Sequence, residues 1–268
     1  MTPGHAAEVA WLWTERALAV ALAQQTIELL LIRRAYRDDG VFRYATLEPE
    51  IDGLPWPLRI VFAPLLRYRA FLTVLWLRLL GLAWLLVGGA PAGLLGLLLL
   101  TQLAIGVRFR GTFNGGSDTM TTLLLLALWC SRLSPSAWVD KASLLYVAVQ
   151  LTWSYVIAGV AKLRQREWWS GAALRSFVET ERYGAPRWAK RALARVPGFR
   201  LASWSVLAFE CGFPLSWWRP ELCVLLLAIG FVFHLGTWLL FGLNRFVFAW
   251  LAAYPAMIFA SAAVSNTF

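Results

Sequence analysis

The chain has 268 residues, 59% of them hydrophobic and only 15% charged, with a mean hydropathy of +0.60. Soluble domains carry roughly 25% charged residues, so composition excludes an ordinary soluble domain and predicts a polytopic membrane protein. The net charge of +10 does not point to nucleic acid. The basic residues sit in short loops between apolar runs, where they set topology and meet anionic lipid.

A helix needs about 20 apolar residues to cross the hydrocarbon core. Residues 9–32 form the first candidate, interrupted by Gln24, Gln25, Thr26 and Glu28. Gln24 and Glu28 share a face at i,i+4, and a polar face on a membrane helix should turn inward. Residues 33–69 are a basic connector with seven Arg against five acids and four prolines, Pro49, Pro55, Pro57 and Pro64. Trp56, Leu58, Ile60, Val61, Phe62, Leu65 and Leu66 predict a segment lying in the membrane interface. Residues 70–87 span next, with Arg78 in mid-run, and Gly88-Gly89-Ala90-Pro91 makes a tight turn. Residues 92–107 span back, 119–131 are a short span, and 138–161 are a long one ending at Lys162. Residues 162–200 are polar, with ten Lys or Arg against three acids. Residues 201–218, 222–241 and 246–264 complete about eight spans.

With eight spans, the basic connectors 33–69, 108–118, 162–200 and 242–245 share one side. The positive-inside rule makes that side, and Lys162, cytoplasmic. Glu8, Glu15 and Arg16 precede the first apolar run, and no small-residue cleavage site follows, so no cleavable signal peptide is expected. Many of the 16 tryptophans lie near the ends of apolar runs, as in interfacial aromatic belts. A packed bundle would show the same. Cys130, Cys211 and Cys223 have no metal-type spacing and read as small apolar fillers. With no second His near His234, no metal site is expected.

Three polar residues in apolar surroundings are candidates for chemistry. Only three of the 25 basic residues are lysine (Lys141, Lys162 and Lys190). A Lys amine can release its proton when desolvated and an Arg guanidinium in practice cannot. Lys162 is therefore either a snorkelling anchor at a helix end or a general base. His234, in mid-span, is either a cross-helix hydrogen bonder or a functional group. Glu210 is costly in an apolar run unless paired, with an Arg, His234 or Lys162 as partner. The segment Phe113-Asn114-Gly115-Gly116-Ser117-Asp118 reads as a turn whose Ser117 or Asp118 N-caps the next helix, or as a binding loop. It is not a phosphate loop, because no GK[ST] follows.

The stretch Ile157-Ala158-Gly159-Val160-Ala161-Lys162-Leu163, then Trp168 and Gly171, resembles the core motif of the membrane domain of vitamin K-dependent gamma-glutamyl carboxylase, a domain shared with the bacterial HTTM family. The resemblance implies that Lys162 is the base that deprotonates a reduced quinone, and Ala161 replaces the first lysine of the family's pair. Phe113-Asn114-Gly115-Gly116-Ser117 falls where the carboxylase has a functional histidine, here Gly116. Phe233-His234 matches a Phe-His pair in a late span, and Glu210-Cys211-Gly212-Phe213 falls on a small-residue-Gly-Phe segment. The similarity runs over roughly residues 70–262. A chain ending at Phe268 has no large lumenal domain, so propeptide-directed carboxylation is not expected. The resemblance places the lysine near the extracytoplasmic side, against the charge count.

The expectation is therefore an all-α polytopic transmembrane bundle of about eight spans, with an N-terminal span and basic connector at 1–69 and a carboxylase-like domain at 70–268. Lys162, His234 and Glu210 are the candidate catalytic residues. Asn114, Gly115, Gly116, Asp118, Tyr155 and Trp168 are the candidate substrate-binding residues. A reduced quinone is the one cofactor-like molecule implied. The expected partners are the lipid bilayer and a peptide substrate or separate soluble chain, and the expected place is a bacterial inner membrane. The alternative is a non-catalytic scaffold, export or immunity partner, or lipid binder.

Overall fold

A computed structural model describes residues 3–109, 115–181, 184–195 and 197–265. Among these residues every regular element is helical. Four helices are long and apolar enough to cross a membrane: Tyr68–Val87, Ala137–Leu163, Pro220–Phe241 and Asn244–Ser265. The chain packs as two compact units, one of Glu15–Ser136 and one of Met1–Thr14 with Ala137–Phe268. Helix α1 (Pro3–Leu31) contributes a segment to each.

In the unit Glu15–Ser136, the connector after α1 forms 3-10 turns at Arg33–Tyr36 and Tyr44–Thr46, then α2 (Glu48–Asp52) and α3 (Trp56–Leu66). Pro49 and Pro57 stand in the first turns of α2 and α3, where a missing N–H costs nothing. Helix α3 buries Phe62 and Leu66 but exposes Trp56, Leu58 and Ile60. Helix α4 (Tyr68–Val87) ends at Gly88. The predicted turn follows, with Gly89 at φ +82°, and leads into α5 (Ala92–Arg108) and α6 (Gly115–Leu133).

Arg78 lies in the middle of α4 and is buried. Its five N–H groups are all used. Nε donates to Thr26 Oγ1 at 3.1 Å; Nη1 donates to the Leu98 carbonyl at 3.1 Å and to Thr101 Oγ1 at 2.6 Å; Nη2 donates to Gln25 Oε1 at 3.2 Å and to Gln102 Oε1 at 2.6 Å. The residues of the first helix that turn inward are Gln25 and Thr26, because a guanidinium in an apolar unit must find acceptors, whereas the predicted Gln24–Glu28 face is only half-buried, with Gln24 Nε2 donating to Glu28 Oε1 at 3.1 Å. Arg132 and Glu15 form a further ion pair in this unit.

In the other unit, α7 (Ala137–Leu163), α11 (Gly198–Gly212), α12 (Pro220–Phe241) and α13 (Asn244–Ser265) pack together, with α12 along α13 and both α11 and α13 against α7. Three short helices, α8 (Arg166–Ser170), α9 (Ala172–Glu179) and α10 (Arg187–Ala194), join α7 to α11. The run expected as one span at 201–218 divides. Helix α11 ends at Gly212, and Phe213–Trp217 tightens into a 3-10 turn, where Pro214 has no N–H to continue the helical ladder.

Candidate functional site

Lys162 stands in the last turn of α7 and Glu210 near the end of α11. Nζ lies 2.6 Å from Glu210 Oε1 and 2.7 Å from Oε2, so one ammonium donates to both carboxylate oxygens. Of the partners open to Glu210, the fold selects Lys162. The Glu210 side chain is buried and that of Lys162 is 21% exposed. Nζ also lies 5.3 Å from the centre of the Trp168 ring, within cation–π range. Trp168 is held on α8, where its carbonyl accepts a bond from Ser203 Oγ.

Gly159, one turn before Lys162, explains the close approach. A Cβ there would fall 2.7 Å from Cys211 Sγ and 3.0 Å from Glu210 Cβ. Gly171 (φ +80°) does the same on the connector: a Cβ would fall 2.7 Å from the Arg200 backbone nitrogen. The glycines of the Lys162 motif are thus contact points between α7, the connector and α11.

A second polar pair faces the same cavity. The Tyr155 hydroxyl lies 2.9 Å from His234 Nε2, joining α7 to α12. Gly230, one turn before His234, makes room for it: a Cβ there would fall 3.2 Å from the Tyr155 hydroxyl and 2.8 Å from that of Tyr254. Both pairs line a cavity of about 410 Å³ whose remaining walls are mainly apolar and aromatic, with Trp168, Phe233, Phe246 and Trp250 among them. The Trp250 ring lies 5.0 Å from His234 and stacks on Phe246 at 4.9 Å. His234 Nδ1 and Trp250 Nε1 are buried and have no hydrogen-bond partner among the described residues. Both atoms are closed off from solvent, so the protein itself bears their desolvation cost.

Five of the residues singled out from sequence, Lys162, Glu210, His234, Tyr155 and Trp168, therefore line one cavity. Gly115, Gly116 and Asp118 belong to the other unit. They form the first turn of α6 rather than a turn before it, so neither Ser117 nor Asp118 precedes the helix as its N-cap. Asp118 is buried and its Oδ1 accepts a bond from Gln25 Nε2 at 2.9 Å. Asn114 lies outside the described residues. Sequence reasoning missed Trp250, whose period within an apolar run carries no signal. Gly230, four residues before His234, was the available signal for a close helix contact there. Among the described residues no group of three or more His, Cys, Asp or Glu converges as metal ligands do.

No family model, curated protein or solved structure matches the chain.

Proposed function

We propose that the chain is a polytopic protein of about eight spans in a bacterial inner membrane, of the HTTM or gamma-carboxylase-like class. Its cavity takes a lipophilic, quinol-like substrate. The observation that carries the proposal is the Lys162–Glu210 pair opening on an aromatic-lined cavity that the Tyr155–His234 pair also lines.

The chemistry is a proton transfer. A phenolic O–H of the substrate donates its proton to the Lys162–Glu210 pair, which before transfer is neutral as a whole. Afterwards the pair holds one extra proton and one positive charge, facing the phenolate it has made. The apolar walls keep water from competing for that charge. The pair shares one proton: when that proton rests on the Glu210 carboxyl, the free Lys162 amine takes the substrate's, so Lys162 is a general base acting with Glu210 rather than alone. The residues suit a reduced quinone: aromatic walls for the ring and polar groups for its oxygens. A peptide or separate soluble chain would use the anion so formed.

A second reading also has an observation in its favour. Lys162 spends two N–H bonds on Glu210, which suits a helix tie in a non-catalytic lipid or quinone binder. The two separate on one experiment. Reduced menaquinone analogue is added anaerobically to purified protein, and its ionisation is followed by the phenolate absorbance band, together with mass spectrometry of co-purified lipids. Proton abstraction requires that Lys162→Ala abolish phenolate formation and that Lys162→Arg fail to restore it. A Lys162→Arg protein that matches wild type reduces Lys162 to an anchor.

A further inference from the structure

We propose that the hollow where α9 meets the α10–α11 turn is a phosphate-binding site, for the headgroup of an anionic phospholipid or for free phosphate. The site is separate from the Lys162 cavity and does not depend on what that cavity does. It makes use of the basic stretch 162–200, which the proton-transfer chemistry leaves unexplained.

Three arginines line this cavity of about 410 Å³: Arg175 from α9, Arg195 just after α10 and Arg200 in the first turn of α11. None of the three has a carboxylate within ion-pair distance among the described residues. The acids of the stretch, Glu167, Glu179 and Glu181, do not line the hollow. All three arginines are exposed, so water rather than a carboxylate solvates them, and an anion with several oxygens takes the place of that water. Guanidinium forks match phosphate oxygens in pairs, which makes Arg rather than Lys the residue for such a site.

The backbone acts in the same sense. Helix α9 begins after Gly171 and α11 after Pro197. The two starts are in direct contact, since a Cβ on Gly171 would fall 2.7 Å from both the Arg200 nitrogen and the Phe199 carbonyl carbon. The positive ends of two helices therefore meet at the wall of the hollow. One of the arginines is also positioned: the Arg175 guanidinium lies 5.1 Å from the centre of the Phe199 ring. The Arg195 main-chain carbonyl accepts a bond from the Gly198 N–H at 2.5 Å, which holds the backbone between α10 and α11.

The surroundings favour a lipid as the source. The connector follows the apolar run of α7, where the chain leaves the hydrocarbon level. Trp169 and Trp204 pack edge to face at 4.7 Å and remain 39% and 40% exposed. Partly exposed indoles at the end of an apolar helix suit the headgroup layer.

The test uses the full chain, delipidated in dodecyl maltoside. Dioctanoyl phosphatidylglycerol, dioctanoyl phosphatidylcholine and inorganic phosphate are titrated separately, with binding read by native mass spectrometry and by the thermal midpoint. Wild type should bind phosphatidylglycerol more tightly than phosphatidylcholine. The variant Arg195→Gln/Arg200→Gln should weaken that binding by about tenfold per arginine removed. A midpoint raised by inorganic phosphate in wild type and not in the variant, without preference between the lipids, assigns the site to free phosphate. Equal binding by wild type and variant for every probe overturns the proposal. Should the double variant show no cooperative melt, Arg195→Gln and Arg200→Gln singly are held to the same criterion.

Discussion

Gly159 and Glu210 touch across α7 and α11: a Cβ added to the glycine would lie 3.0 Å from the Glu210 Cβ. That contact sets the distance at which Lys162, one turn further along α7, reaches both oxygens of Glu210. A side chain at 159 must therefore disturb the pair even though it touches neither charged group.

Gly159→Ala is expected to lower stability by about 1–3 kcal/mol through overpacking, beyond the roughly 1 kcal/mol that Ala gains in helix propensity. Because Cys211 Sγ is the nearest obstacle at 2.7 Å, Gly159→Ala/Cys211→Ala should recover part of the loss. Thermal melts of the two single variants and the double give the coupling. Additive effects would show that the Sγ contact is not what resists the new methyl.

The Lys162–Glu210 pair predicts an asymmetry. Lys162→Ala strands a buried carboxylate, at a cost on the order of 3 kcal/mol for a buried pair, lessened by the partial exposure of Lys162. Lys162→Met/Glu210→Leu removes both charges and should melt closer to wild type than Lys162→Ala does. The comparison is made in one detergent at one pH. A double variant less stable than the single would mean that the pair contributes more than its desolvation costs.

Arg78 has no donor left for a ligand, so its role is to hold α4 to α1 and α5. Arg78→Lys offers three N–H groups where five are used and should cost roughly 2–4 kcal/mol. The yield of monodisperse protein should fall with it, while binding of substrate to the Lys162 cavity by the surviving fraction should be unchanged. Wild-type stability for Arg78→Lys would contradict a fully used guanidinium.

Tyr155→Phe removes the partner of His234 Nε2 and leaves both ring nitrogens without a protein bond, at a cost of about 1–3 kcal/mol. Gly230→Ala should have a related effect through another route, since its methyl would displace the Tyr155 and Tyr254 hydroxyls. Both variants should release the His234 ring, which nuclear magnetic resonance of a His5→Gln protein, with His234 as its one histidine, would report. An unchanged His234 signal in Tyr155→Phe would remove the tyrosine from the site.

Much of the helical layout was legible in the chain. The runs at 70–87, 92–107, 138–161, 222–241 and 246–264 fall within helices α4, α5, α7, α12 and α13. Apolar length and the Gly-Pro punctuation at 88–91 are local properties, so reading along the chain finds them. The region 33–69 was legible as amphipathic but not as α2 and α3 with buried Ile51, Phe62 and Leu66. Burial there depends on what packs against it. The division of α11 at Gly212 was signalled by Pro214 and obscured by the apolar run continuing past it.

The candidate site divides along the same line. Residue chemistry alone marked Lys162, Glu210 and His234, because an ionisable group in an apolar run must be accounted for, and Tyr155 stood only among the binding candidates. Which of them meet was settled only by the packing of α7, α11 and α12. Lys162 and Glu210 are 48 positions apart, and Tyr155 and His234 are 79. Helix periodicity relates residues three and four apart on one helix and says nothing across helices. The packing itself turns on Gly159 and Gly230, whose missing side chains let the helices close to the distance at which those polar groups bond.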